Sequence, residues 1–228
     1  MKRAVIFDVD HTLVDGWSGQ LFTSAVIRQR PLRPASLKII ARRISTSLRL
    51  RRDAQGRIET GVSVVRGMAE TQAIEIAERC FADSIHDRLF SPGISEVLRH
   101  RRDPSVHLVL ASGSSRYIVE AVGAFLAVDA CLGSSATVDE SGRISGRVEE
   151  PLCFGTGKYT RVKAHLEEHD IGLSDATFYT DSETDLPLLE AVGRAIVVNP
   201  SPALQMTARA RGWQEERWQS ASSRSRRG

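Results

Sequence analysis

The sequence predicts an α/β protein in which a parallel sheet is flanked by helices and a helical segment is inserted after the first strand. Two observations carry this expectation. Short runs of buried-strand composition recur along the chain, each after the first preceded by a stretch of helical periodicity, and that rhythm builds parallel strands joined by crossover helices. The second is a gap: between residues 16 and 91 there is no convincing strand but several amphipathic stretches. A chain of 228 residues is long enough to bury one substantial core plus a small accessory domain.

In chain order, the first strand is expected over Arg3–Phe7, where RAVIF runs straight into DVDHT. Helices are expected over residues 19–28, 36–50, 60–68 and 71–84 of the insertion. Further strands are expected over residues 106–111, 130–132, 176–180 and 195–198. Between them TVDESGRISGRV predicts a hairpin, because Glu140, Ser141 and Gly142 supply turn chemistry between alternating residues. The expected organisation is a core of residues 1–15 and 92–213, a helical insertion of residues 16–91, and a disordered basic tail of residues 214–228.

Composition narrows the class. Hydrophobic residues make up 41% and charged residues 26%, which excludes disordered and collagen-like chains. Cys80, Cys131 and Cys153 lie far apart with no CxxC spacing, which suits a reducing compartment better than a disulfide framework. No apolar run approaches a membrane span, and the N-terminal apolar stretch meets Asp8 too soon for a signal peptide, so a cytoplasmic protein is expected. The net charge of +3 hides an asymmetry: residues 28–57 hold ten Lys or Arg and one acid, and residues 217–228 add four arginines. The high pI therefore belongs to two segments.

Ligands of an open parallel sheet bind beyond the carboxyl ends of its strands. Asp8 and Asp10 follow the first strand, Ser112 and Gly113 the second, Lys158 stands by Gly157 before a helix, and Asp181 and Asp185 follow the strand at 176–180. Carboxylates converging in one cleft repel each other and call for a hard cation such as Mg²⁺, while a lysine and a hydroxyl beside them suit phosphate oxygens. Phosphoryl transfer is the chemistry this set suits: an aspartate can attack phosphorus while cations neutralise the equatorial charge.

These four loops resemble the four motifs of the haloacid dehalogenase superfamily: DVDHT, LASGS, FGTGK and DSETD, in that order. With a helical insertion between the first two motifs, and FYTDSETDLPLLEAVG followed by VVNPSPAL, the chain is similar to the phosphoserine-phosphatase-like branch over roughly residues 3–213. The resemblance implies a Rossmann-like core with an α-helical C1 cap, and a Mg²⁺-dependent phosphatase acting on a small phosphorylated metabolite through an aspartyl-phosphate. It implies Asp8 as nucleophile and metal ligand, and Asp10 as general acid and base with its backbone carbonyl on the metal. Ser112, the Gly113 N–H and Lys158 would bind phosphate, and Asp181 would ligate Mg²⁺. Thr12 would hold the loop, and Asp185 would orient Lys158 or a metal-bound water. The presence of Asp10 argues against the dehalogenase branch, which does not use that second acid. The four loops lie outside the insertion, so a foldable core is expected to survive its removal.

Rival motifs fare worse. HLEEH, residues 165–169, fits HxxEH formally but leaves too little chain downstream for a third peptidase ligand. GTGKY lacks the leading glycine of a P-loop, which would fall on Leu152, and has Tyr159 for the required Ser or Thr. PASLKIIARRISTSLRLRR is an amphipathic basic helix, expected to be a cap helix with a solvated face. One alternative makes it a basic wall that draws an anionic substrate into the cleft; another makes it a membrane- or nucleic-acid-binding element, with phosphatase chemistry secondary. Two residues are candidates for specificity. His11 stands where the family usually has a small or amide residue. Trp17 lies nine residues after Asp8, where phosphoserine phosphatases typically carry a glutamate for the substrate's ammonium.

Overall fold

A computed structural model describes residues 2–29, 56, 61 and 64–219. Six parallel strands form one sheet in the order β3-β2-β1-β6-β7-β8. They are β1 (Arg3–Phe7), β2 (Val106–Ser115), β3 (Ala130–Ser134), β6 (Ala176–Thr180), β7 (Arg194–Val198) and β8 (Gln214–Glu216). The second sheet is the expected hairpin, β4 (Ala136–Val138) against β5 (Ile144–Val148). Its turn is held by Asp139 Oδ1, which accepts from the Ser141 N–H at 2.9 Å and the Arg143 N–H at 3.0 Å, while Gly142 takes φ +73.

Helices cover both faces. Val5 and Phe7 of β1 join one apolar cluster, and Ala4 and Ile6 join the other. A strand buried on both sides reads as an uninterrupted apolar run for this reason. The helices are α1 (Ser18–Gln29), α2 (Glu70–Cys80), α3 (Ser91–Arg101), α4 (Arg116–Leu126), α5 (Thr156–Glu168), the single turn α6 (Leu186–Leu189) and α7 (Pro202–Arg211). Among the described residues no helix is long and apolar enough to cross a membrane.

Helices α1 and α2 belong to the insertion between β1 and β2, and they do not pack as an isolated unit. Phe22 and Val26 of α1 and Ala73 and Ile76 of α2 lie in the same buried cluster as Val5 and Phe7 of β1 and Ile118 of α4. The hairpin reinforces the junction: the Gly67 N–H donates to Ile144 O at 2.7 Å, and the Ile144 N–H to Met68 O at 2.9 Å. The insertion's helices, the first strand and α4 thus share one apolar interior.

Two boundaries also move. Strand β2 continues through the serine-rich loop to Ser115, with a register irregularity against β3 between Ala111 and Ser115. At the other end, the tail expected to be disordered from residue 214 begins with β8, and Trp218 is only 6% exposed within the first cluster. A polar QEE segment hides its strand character because β8 is an edge whose side chains need little burial. The expected helix at 36–50, with its basic face, and the tail from residue 220 lie outside the described residues, as do residues 60, 62 and 63 of the expected helix at 60–68.

Candidate active site

The sheet order reverses direction between β1 and β6, and there the chain opens a crevice at the carboxyl ends of the strands. Asp8 leaves β1 on one side of this switch point and Asp181 leaves β6 on the other, with the Asp8 N–H donating to Tyr179 O at 2.9 Å. Both positions obey the same local rule, since an apolar run that must stay buried can turn polar only at its exit.

Lys158 sits in the first turn of α5 and is 3% exposed. Its ammonium donates to Asp8 Oδ1 at 3.1 Å and to Asp185 Oδ2 at 2.7 Å. The helix can begin there because residue 157 is glycine: a Cβ would fall 2.1 Å from Leu152 O. Burial works against the lysine's charge, but Asp185 and Asp8 outweigh it and hold the ammonium above its ordinary pKa. Thr180 Oγ1 also donates to Asp185 Oδ2, at 2.7 Å. Asp185 Oδ1 is buried and receives no hydrogen bond within the protein.

Asp10 is gripped at both oxygens. Oδ1 accepts the Ser18 N–H at 2.8 Å, and Oδ2 accepts the Ser114 hydroxyl at 2.6 Å. Ser18 begins α1, so the carboxylate occupies the place of an N-cap and faces the positive end of the helix. The Ser18 and Ser114 hydroxyls are 3.2 Å apart, and the Ser114 N–H donates to Ser112 Oγ at 3.2 Å. Ser112 is thereby linked to Asp10 through Ser114. Gly19 makes the approach possible, for a Cβ there would lie 2.8 Å from Ser114 Oγ.

Thr12 is fully buried; its Oγ1 accepts the Asp181 N–H at 3.0 Å and donates to Asp181 Oδ1 at 3.3 Å. His11 adopts a left-handed φ of +59 and meets Trp17 edge-on, with ring centroids 4.6 Å apart. Trp17 is 43% exposed. Burial pushes the Asp181 carboxyl up to about 6, against the pull of His11 and Lys158. Burial likewise holds Asp8 well above the usual carboxylate range, with Lys158 opposing and Asp185, Asp181 and Asp10 adding to the rise.

The structure thus brings Asp8, Lys158, Asp185 and Asp181 into one charged group, and Asp10, Ser114 and Ser112 into an adjoining chain. Crowded, buried carboxylates, Asp8 and Asp181 with raised pKa values among them, are a set that a divalent cation would relieve, and an all-oxygen donor set fits a hard one. The unpartnered Asp185 Oδ1 adds a buried acceptor to it. Sequence reasoning missed Ser18, Ser114 and Thr180. Ser114 lies inside the quoted LASGS and Thr180 beside DSETD, but hydroxyls carry no spacing signal for partners that meet only in the fold.

The chain matches the haloacid dehalogenase-like hydrolase family over residues 5–190 and belongs to it. It is 26% identical to a phosphoserine phosphatase of Mycobacterium tuberculosis, covering 94% of this chain and 70% of the relative. It is also 26% identical to a histidinol-phosphatase of Neisseria meningitidis, covering 93% of this chain and 97% of the relative. A protein of unknown function from Bordetella pertussis has a similar solved structure, with a TM-score of 0.82, 26% identity and coverage of 95% and 99% of the two chains.

Proposed function

We propose that this hydrolase is a Mg²⁺-dependent phosphatase that cleaves a small phosphomonoester by way of an aspartyl-phosphate on Asp8. The observation that carries the reading is the buried Asp8–Lys158–Asp185 chain beside a doubly held Asp10. Asp8 attacks phosphorus and the ester P–O bond breaks, while Asp10 gives its proton to the leaving alkoxide. Water then attacks the aspartyl-phosphate, Asp10 takes the water's proton, and cleavage of the bond to Asp8 releases inorganic phosphate. Lys158 offsets negative charge on the transferring group, and Ser112 Oγ with the Gly113 N–H holds its oxygens. Asp185 keeps Lys158 aimed at Asp8, and Thr12 fixes Asp181. Asp8, Asp181 and the backbone carbonyl of Asp10 would hold the Mg²⁺, which supplies charge neutralisation when bound.

The test of the mechanism is Asp8→Asn, nearly isosteric but a very poor nucleophile. Turnover of p-nitrophenyl phosphate should fall by at least about three orders of magnitude, with the fold retained by circular dichroism. Appreciable turnover by a contamination-free sample would remove the reading.

The two named relatives differ in the substrates their names give, so Trp17 guides the choice of substrate. An indole N–H cannot accept from an ammonium group, and loss of a charge-assisted partner costs on the order of 2 to 3 kcal/mol, about two decades in selectivity. Its ring, standing on His11, favours an apolar or delocalised leaving group such as histidinol, or a sugar or polyol, over the compact serine. In a metabolite panel ranked by kcat/KM, phosphoserine should fall well below the best substrate. Phosphoserine at the top would overturn this assignment.

A further inference from the structure

At the end of the sheet opposite the active site, three histidines converge. His107 stands near the start of β2, paired in register with Ala4 of β1, and His165 lies in the last turn of α5 with His169 just beyond it. One ring nitrogen from each lies within 4.8 Å of the other two, and all three rings are partly buried. His107 Nε2 and His165 Nε2 are 2.9 Å apart, and the His107 and His169 rings stack with centroids 4.4 Å apart.

We infer that His107, His165 and His169 form a binding site for a borderline-soft divalent metal ion of the Zn²⁺ class, separate from the carboxylate centre.

Two features beyond proximity support this assignment. The first is reach. Two nitrogens on a tetrahedral zinc ion are about 3.3 Å apart, given Zn–N bonds of about 2.0–2.1 Å; the His107 and His165 Nε2 atoms, hydrogen-bonded at 2.9 Å, need only a small separation to reach that spacing, and no pair of the three nitrogens is more than 4.8 Å apart. The second is orientation. His169 Nδ1 is 2.9 Å from His165 O, so the ring donates there and leaves its Nε2 lone pair free. His107 Nδ1 faces Asp129 Oδ2 at 3.8 Å, an acceptor for the proton when Nε2 ligates.

The two centres would sort metals by chemistry: oxygen donors suit Mg²⁺, and imidazoles suit zinc, cobalt or nickel. With three protein ligands, the fourth position falls to water. Bound there, the ion would fasten the C-terminal end of α5 to β2, while Lys158 works from the first turn of the same helix.

The test uses the full chain without an affinity tag, stripped with chelator and then held in excess Mg²⁺ to occupy the carboxylate centre. Calorimetric titration should show one tight equivalent of Zn²⁺, and Co²⁺ should give the visible absorption of a tetrahedral site. Zn²⁺ at a hundredfold excess over Kd should raise Tm by roughly 5–10 °C. His107→Gln and His169→Gln should each weaken Zn²⁺ binding by at least about a hundredfold, beyond the usual loss from outer-sphere changes, and should abolish the cobalt bands. Mg²⁺-dependent turnover of p-nitrophenyl phosphate should persist in both, which shows that they fold; if one fails to fold, the other decides. Absence of tight binding in the wild type, or unchanged binding in a folded variant, would overturn the site. Cobalt bands that persist undiminished in both variants would do the same.

Discussion

Asp10 owes its position to two serines that no motif spacing marks. The Ser114 hydroxyl at 2.6 Å and the Ser18 N–H at 2.8 Å fix both carboxylate oxygens, so the proton-transfer group of the proposed mechanism is oriented before substrate arrives. A hydrogen bond to a charged group is worth about 1.5–3 kcal/mol. Ser114→Ala should therefore lower kcat by roughly 10- to 100-fold with KM little changed, because the loss falls on proton transfer; a variant with kcat intact and KM raised would place Ser114 in substrate binding instead. The carboxylates themselves were legible, since Asp8 and Asp181 interrupt buried runs where nothing apolar explains them. The hydroxyls were not: Ser114 meets Asp10 across 104 positions of sequence, and only the folded chain reveals that pairing.

At the scale of elements, legibility tracked burial. β1 and β6 could be read to their ends because both faces are covered, which forces an apolar run with sharp limits. β2 outran its expected end at Ala111 because SGSS has loop composition, yet the backbone stays in the sheet while it presents hydroxyls to the crevice. β8 was invisible for the opposite reason, being short, polar and at an edge. Its role is to return Trp218 to the core. The Trp218 ring packs against Gly93, where a Cβ would come within 2.9 Å, and its Nε1–H donates to Glu216 Oε2 at 2.7 Å. Trp218→Ala should cost about 3–5 kcal/mol by cavity formation, measured as a shift in the denaturant midpoint at constant slope. A loss below about 1 kcal/mol, the scale of surface substitutions, would mean that the indole is not part of the core.

For the whole molecule, charge and packing meet in the crevice. Asp181 titrates at about 6 in the fold against 3.8 for an ordinary aspartate, so between those values the folded chain binds more protons than the unfolded one. Stability of the metal-free protein from this residue is therefore present below about 4 and lost as pH rises through about 6. His107 and His165, whose pKa values are lowered, act with the opposite sign, so the useful quantity is the difference between wild type and Asp181→Asn. In chelator that difference should move against the wild type as pH rises from about 4 to about 6.5, and Mg²⁺ should shrink it. A difference independent of pH would contradict the raised carboxyl. The shared apolar cluster acts on the same scale: none of the four motif loops falls within the insertion, and the apolar residues of α1 and α2 share one interior with those of the sheet.

The hold of Ser18 on Asp10 also sets where this chain can be cut and rejoined. Ser18 and Gly19 belong to the insertion by sequence, yet Ser18 holds Asp10, the proposed proton donor, and Gly19 lies against Ser114, its other partner. A chimera that grafts a foreign cap onto this sheet at residue 16 would discard both, and would be misread as showing that the cap dictates the rate. A seam after Gly19 keeps Ser18 and Gly19, and with them the hold on Asp10 and Ser114, in any such exchange.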